Sequence, residues 1–138
     1  MSTLRLNWQG LLKFTNADGS PAMELDSSAP GITSPTQALG YAVMACMGMD
    51  VVHMLQKGRH SLKELSVTFE GTRAQEHPRR YTAIHLHFEI TGDVPDEAVT
   101  RAIEVSRTTY CSVSNSLRTD IEFTTTFSVK PPTSTSSP

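Results

Sequence analysis

Disulfide frameworks, basic patches and secretory leaders are scarce or missing in this chain, and each shortage narrows what it can be. Only Cys46 and Cys111 carry thiols. Two cysteines are too few for a disulfide-stapled secreted scaffold, which leaves catalysis, redox sensing or core packing as their uses. Lys and Arg number 12 against 14 Asp and Glu. Only Arg79 and Arg80 adjoin, so charge points neither to nucleic acid nor to an anionic membrane. The opening MSTLRLNWQG has no apolar core of the signal-peptide kind, and the expected location is the cytoplasm. There is no GxGxxG, no P-loop and no internal repeat. The 138 residues are expected to form one domain over 1–130, with a low-complexity, disordered tail, PPTSTSSP, over 131–138.

What the chain does have is a long apolar stretch from Ser34 to Gly58. Ser34, Pro35 and Gln37 spell a helix start: a capping hydroxyl, a proline at the first helical position and a capping-box partner. Lys57 suits the negative end of the helix dipole, and Gly58 is placed to take the left-handed conformation that ends a helix. Leu39, Ala42, Val43, Cys46, Asp50 and His53 share one stripe, while Ala38, Met44, Ala45, Met47, Val51, Val52 and Leu55 cover the other sides. A helix apolar all round is expected to be buried, with Met44, Met47, Met49 and Met54 filling gaps. A membrane span is the rival reading, opposed by Asp50 near its centre and by the strand-like segments on either side.

Around that helix the pattern is mostly period two. Residues 3–26 read as a three-strand meander: Leu4, Leu6 and a half-buried Trp8, a turn at Gly10, a run from Leu11 to Thr15, a turn at Asn16 to Gly19, and a strand from Ala22 to Leu25. Leu62–Arg73 and Arg80–Thr91 alternate as an antiparallel pair joined by a hairpin at Ala74–Pro78. Pro95, Asp96 and Glu97 open an amphipathic helix whose inner stripe is Ala98, Val99, Ala102, Ile103 and Ser106, with Glu97 able to pair with Arg101. A break is expected near Thr108 to Tyr110, followed by a short helix from Cys111 to Leu117. Asp120–Val129 makes the last strand. The order βββ, α, ββ, αα, β is α+β.

Two thiols stand out chemically. Cys46 lies on a stripe with Asp50 and His53, and is either a small core residue or a reactive thiol. Cys111, at a helix N-terminus with Arg107 one turn before it, has the setting that lowers a thiol pKa. His85 and His87 share an outer strand face beside Glu89, without a third and fourth ligand to complete a metal site.

The helix-start TSP turn followed by Ala45–Cys46, and CSVSNSL from Cys111 to Leu117, resemble the OsmC/Ohr family over nearly the whole chain. DVVHMLQKGR from Asp50 to Arg59, and the pair Tyr110–Cys111, look most like its YhfA branch. The resemblance implies an intertwined homodimer, its antiparallel sheets wrapped around a central cysteine-bearing helix, with active sites at the subunit interface. It implies reduction of organic hydroperoxides, with Cys46 as the peroxidatic thiolate and Cys111 as the resolving thiol. The reductant would be a small or lipoyl-type dithiol, with no metal, flavin or haem.

Peroxidase branches carry a Glu after the helix-start proline and an Arg from the N-terminal region. Here Thr36 and Gln37 follow Pro35, and neither Arg5 nor Lys13 lies in a matching motif. Arg107, or an arginine of a second subunit, is the candidate substitute. Asp50 and His53 stay open between structural contacts and site members. The alternatives to a peroxidase are a non-catalytic module of the same fold binding a small hydrophobic ligand, and a thiol redox sensor.

Overall fold

The computed structural model describes residues 4–11, 13–16 and 23–132. Its main elements are β1 (Leu6–Trp8), β2 (Lys13–Asn16), β3 (Glu24–Asp26), α1 (Pro35–Lys57), β4 (Ser61–Arg73), β5 (Tyr81–Asp93), α2 (Asp96–Val105) and β6 (Glu122–Lys130). The chain forms two compact units, Met1–Tyr41 and Ala42–Pro138.

The first unit carries the antiparallel meander β1-β2-β3. Gly10 and Leu11 both take positive φ, 99° and 44°. The Lys13 N–H donates to the Gly10 carbonyl at 3.0 Å and closes the turn. Leu11 therefore belongs to the turn, and β2 begins later than alternation alone predicts. The expected turn residues 17–19 and the strand start at Ala22 lie outside the described residues. Trp8 is 65% exposed rather than half-buried, its indole N–H donating to the Leu11 carbonyl at 2.8 Å. Leu4, Leu6, Leu11 and Phe14 are exposed as well.

Both ends of α1 are set by local chemistry. The Ser34 N–H donates to Gln37 Oε1 at 3.0 Å and the Gln37 N–H to Ser34 Oγ at 3.3 Å, the reciprocal capping box. At the far end the Arg59 N–H reaches the Gln56 carbonyl at 2.9 Å and the His60 N–H the Leu55 carbonyl at 3.0 Å, a Schellman motif. The left-handed residue is Arg59, φ 61°, and not Gly58 as expected. Position 58 is crowded instead: a Cβ there would meet His60 Cδ2 at 2.9 Å.

In the second unit β4 and β5 form a long antiparallel hairpin, from Ser61 opposite Asp93 to Arg73 opposite Tyr81. Strand β6 lies parallel to β5, from Ala83 opposite Glu122 to Thr91 opposite Lys130. The expectation of wholly antiparallel sheets is thus corrected. Two-residue turns reverse a strand, whereas a connection containing α2 carries the chain back to the end at which β5 began. Ile84, Leu86, Phe88 and Ile90 of β5 are buried, as are Val43, Met47, Val51 and Leu55 of α1 and Val99, Ala102 and Ile103 of α2. At Gly48, α1 faces Val67 of β4, with room for a Cβ in ordinary contact, 3.7 Å from Val67 Cγ2.

The helix α1 is not buried all round. Its covered stripe repeats every four residues, while Ala42, Ala45 and His53 are exposed and Met49, expected to fill a core gap, is 70% exposed. Periodicity reports how apolar each face is, whereas burial depends on which face is covered, and among the described residues of α1 the stripe Val43, Met47, Val51 and Leu55 is the covered one.

A candidate paired-thiol site

Cys46 sits half-buried in α1 and Cys111 is fully buried; both thiols are free. The approach to Cys111 is made by a π-helical turn, Ser106–Tyr110, that continues α2. It is held by the Cys111 N–H donating to the Ser106 carbonyl at 2.7 Å. This is the predicted break, and the wider turn changes the helical phase just before the cysteine. Cys111 itself is extended, at φ −74° and ψ 98°. The helix expected from Cys111 to Leu117 is only a 3₁₀ turn, Ser114–Ser116. The Ser114 N–H donates to Cys111 Sγ at 3.3 Å, and Asn115 Nδ2 donates to the Cys111 carbonyl at 2.8 Å.

The electrostatics of Cys111 reverse the sequence-based expectation. Burial pushes its thiol above the ordinary value; the Ser114 hydroxyl and amide pull the other way, and the adjacent Cys46 thiol adds to the rise. Desolvation disfavours the thiolate, and three residues of 3₁₀ turn supply too little dipole to offset it. The contribution of the Cys46 side chain to the Cys111 thiol also makes the two side chains neighbours. Arg107 does not supply the cation: its guanidinium carbon lies 4.3 Å from the centre of the Phe123 ring.

Asp50, one helical turn beyond Cys46, accepts a hydrogen bond through Oδ2 from the buried Ser106 hydroxyl at 2.8 Å. Asp50 and His53 also line a cavity of about 670 Å³ with Met54, Lys57, Arg101 and Tyr110. Arg101 does not form the expected ion pair with Glu97; the ion pairs among the described residues are Lys13–Glu24, Arg80–Asp120 and Arg118–Asp120. Thr36 and Gln37 serve the start of α1, where the Thr36 hydroxyl lies 3.4 Å from Ser34 Oγ and Gln37 completes the cap. His85 and His87 are held by the threonines of β6: His85 Nδ1 lies 2.7 Å from Thr124 Oγ1, and His87 Nδ1 2.7 Å from Thr126 Oγ1. Among the described residues no group of three His, Cys, Asp or Glu side chains is arranged to hold a metal ion.

Sequence reasoning missed Ser106 and Ser114 as partners of this site. Ser106 had a usable signal, a serine on the inner stripe of an amphipathic helix, because a buried hydroxyl requires a partner. Ser114 stands three residues after Cys111, the spacing of a capping contact.

Two sheets, a cysteine in the long helix between them in sequence, and a second cysteine beyond a π-turn describe a class of α+β proteins with paired free thiols. The family model described as OsmC-like protein matches residues 27–126. Protein YhfA of Escherichia coli strain K12 is 35% identical over 128 residues, which cover 91% of this chain and 96% of that protein. A hypothetical protein from Aquifex aeolicus VF5 superposes with a TM-score of 0.87 at 23% identity, covering 95% of this chain and 97% of that one. A Legionella pneumophila structure described as an organic hydroperoxide resistance protein OsmC superposes with a TM-score of 0.73 at 22% identity, covering 94% and 98% of the two chains. The chain belongs to the OsmC-like family. By length and composition alone α1 could cross a membrane, a test that a core helix also passes, and Val43, Met47, Val51 and Leu55 of α1 are buried within this fold.

Proposed function

We propose that this protein reduces organic hydroperoxides through Cys46 and Cys111, as a cytoplasmic homodimer whose family domain spans residues 1–130. The observation that carries the reading is the adjacency of a half-buried thiol on α1 to a fully buried one seated on the Ser114 amide. The more accessible sulfur, Cys46, meets the peroxide. Its thiolate attacks the outer oxygen of the hydroperoxide, the O–O bond breaks, the alkoxide takes a proton and leaves as the alcohol, and Cys46 becomes a sulfenic acid. Cys111 then attacks the Cys46 sulfur, water leaves, and a disulfide forms. A small or lipoyl-type dithiol returns both sulfurs to thiols at the cost of its own oxidation. No step calls for a metal, flavin or haem.

Dimerisation is supported by apolar surface that one chain leaves open: Leu4, Trp8 and Leu11 in the first unit, and Met49 on α1 in the second. The absent Arg of the peroxidase branches is replaced in this reading by an arginine of the second subunit, since Arg107 is engaged with Phe123. The test is loss of cumene hydroperoxide in the presence of dithiothreitol. Wild-type protein should consume it over many turnovers, whereas Cys46→Ser falls to the rate of dithiothreitol alone. Equal rates in the two proteins refute the proposal.

A further inference from the structure

We propose that the cavity walled by the C-terminal part of α1, by α2 and by Tyr110 binds a small organic anion, a single carboxylate carried on an aromatic or aliphatic body. Lys57 and Arg101 both line it, and neither belongs to an ion pair among the described residues. Among the described residues Arg101 does not pair with its neighbour Glu97 on α2, and it borders the cavity instead. His53 adds a third polar contact. Among the described residues on the wall the carboxylate is that of Asp50, whose Oδ2 accepts a hydrogen bond from the Ser106 hydroxyl. Cations thus outnumber carboxylates on this wall, in a chain of net charge −2.

The rest of the lining decides which anion fits. Met54 and the Tyr110 ring give the cavity an apolar part, and about 670 Å³ suits a small organic molecule rather than a bare ion. Lys57 stands in the last turn of α1. The negative pole of the dipole at that helix end opposes any anion, and opposes a dianionic phosphate more than a singly charged carboxylate held by the two cationic side chains. The arginine fork donates two parallel hydrogen bonds to a carboxylate, with Lys57 adding a point charge. Asp50 is one turn from Cys46 on α1 and Tyr110 precedes Cys111, so the cavity is walled by residues flanking the two cysteines, neither of which lines it. The inference holds whether or not those thiols turn over peroxide.

The test is a titration of the ¹⁵N-labelled full chain with benzoate, with benzamide of nearly the same shape, and with inorganic phosphate, at constant ionic strength. Benzoate should shift the amides of Met54, Lys57 and Tyr110 saturably. Benzamide should bind at least about ten-fold more weakly, and phosphate more weakly than benzoate. Lys57 and Arg101 are exposed, so Lys57→Gln with Arg101→Gln should keep the melting temperature and reduce benzoate to the level of benzamide. Equal binding of benzoate and benzamide, tightest binding by phosphate, no saturable benzoate binding, or a benzoate preference that survives in the double variant would each overturn the proposal. Because the readout is binding, its failure is distinct from a failure of peroxide reduction.

Discussion

Replacing Ser106 by alanine removes the hydroxyl that ties the end of α2 to α1. The bond is short, 2.8 Å, and its acceptor is the Asp50 carboxylate. A hydrogen bond to a charged group contributes about 1.5–3 kcal/mol. Asp50 also faces a cavity open to solvent, so water can take over part of its solvation, and the expected loss is about 1–2 kcal/mol. In a domain of this size each kcal/mol lowers the melting temperature by about 3–5 °C. Urea unfolding should show a lower midpoint with an unchanged slope. The same change should slow disulfide formation, because the π-turn that delivers Cys111 starts at Ser106. A double-mutant cycle with Asp50→Asn should return a coupling of about 0.5–2 kcal/mol. A Ser106→Ala protein as stable as wild type, with no coupling to Asp50, would refute the reasoning.

Gly92 sits in β5 at φ 150°, where a Cβ would collide with the Ser61 carbonyl oxygen and stand 3.1 Å from Leu62 Cα. Gly92→Ala should cost at least about 2 kcal/mol, seen as a lower urea midpoint, because backbone atoms on both strands must shift. The raised pKa of Cys111, caused first by burial, has a kinetic consequence. Below that pKa only a small fraction of Cys111 is thiolate, and the fraction grows about ten-fold per pH unit. Resolution of the Cys46 sulfenic acid, followed in stopped flow, should therefore accelerate with pH through the ordinary thiol range. A rate already level at neutral pH contradicts the burial argument. Arg118→Gln should raise the Asp120 carboxyl from about 2 toward 3.8, since the Arg118 hydrogen bonds are the main cause of its depression. Carbon NMR titration checks it, and an unmoved value would discard that cause.

The features legible in the sequence were those fixed by neighbours in the chain. Ser34, Pro35 and Gln37 start α1 because the cap closes within three residues, and the alternation in β4 and β5 reads directly as a hairpin with one buried face. The inner stripe of α2 was readable for the same reason. What escaped depends on partners remote in sequence. Strand direction at β6 is decided by where the α2 connection returns, and period two is the same in either direction. The exposure of Ala45 and Met49 depends on which face of α1 meets the sheet. At the site, Cys46 and Asp50 were legible as residue types on one helical stripe, and Cys111 as the residue that follows a break in the second helix. The raised Cys111 pKa was not, because burial is a tertiary property, and Arg107 was drawn away by Phe123 across the fold. The left-handed position at Arg59 rather than Gly58 shows that a glycine near a helix end locates the end only to within a residue.

The central claim is that Cys46 and Cys111 act as one redox pair, and it is tested most directly by adding one equivalent of cumene hydroperoxide to the reduced protein and mapping its peptides by mass spectrometry. The account predicts a Cys46–Cys111 disulfide in wild type and, in Cys111→Ser, a Cys46 sulfenic acid trapped by dimedone. Both cysteines still reduced after the peroxide is added, or oxidation confined to Cys111, would contradict it.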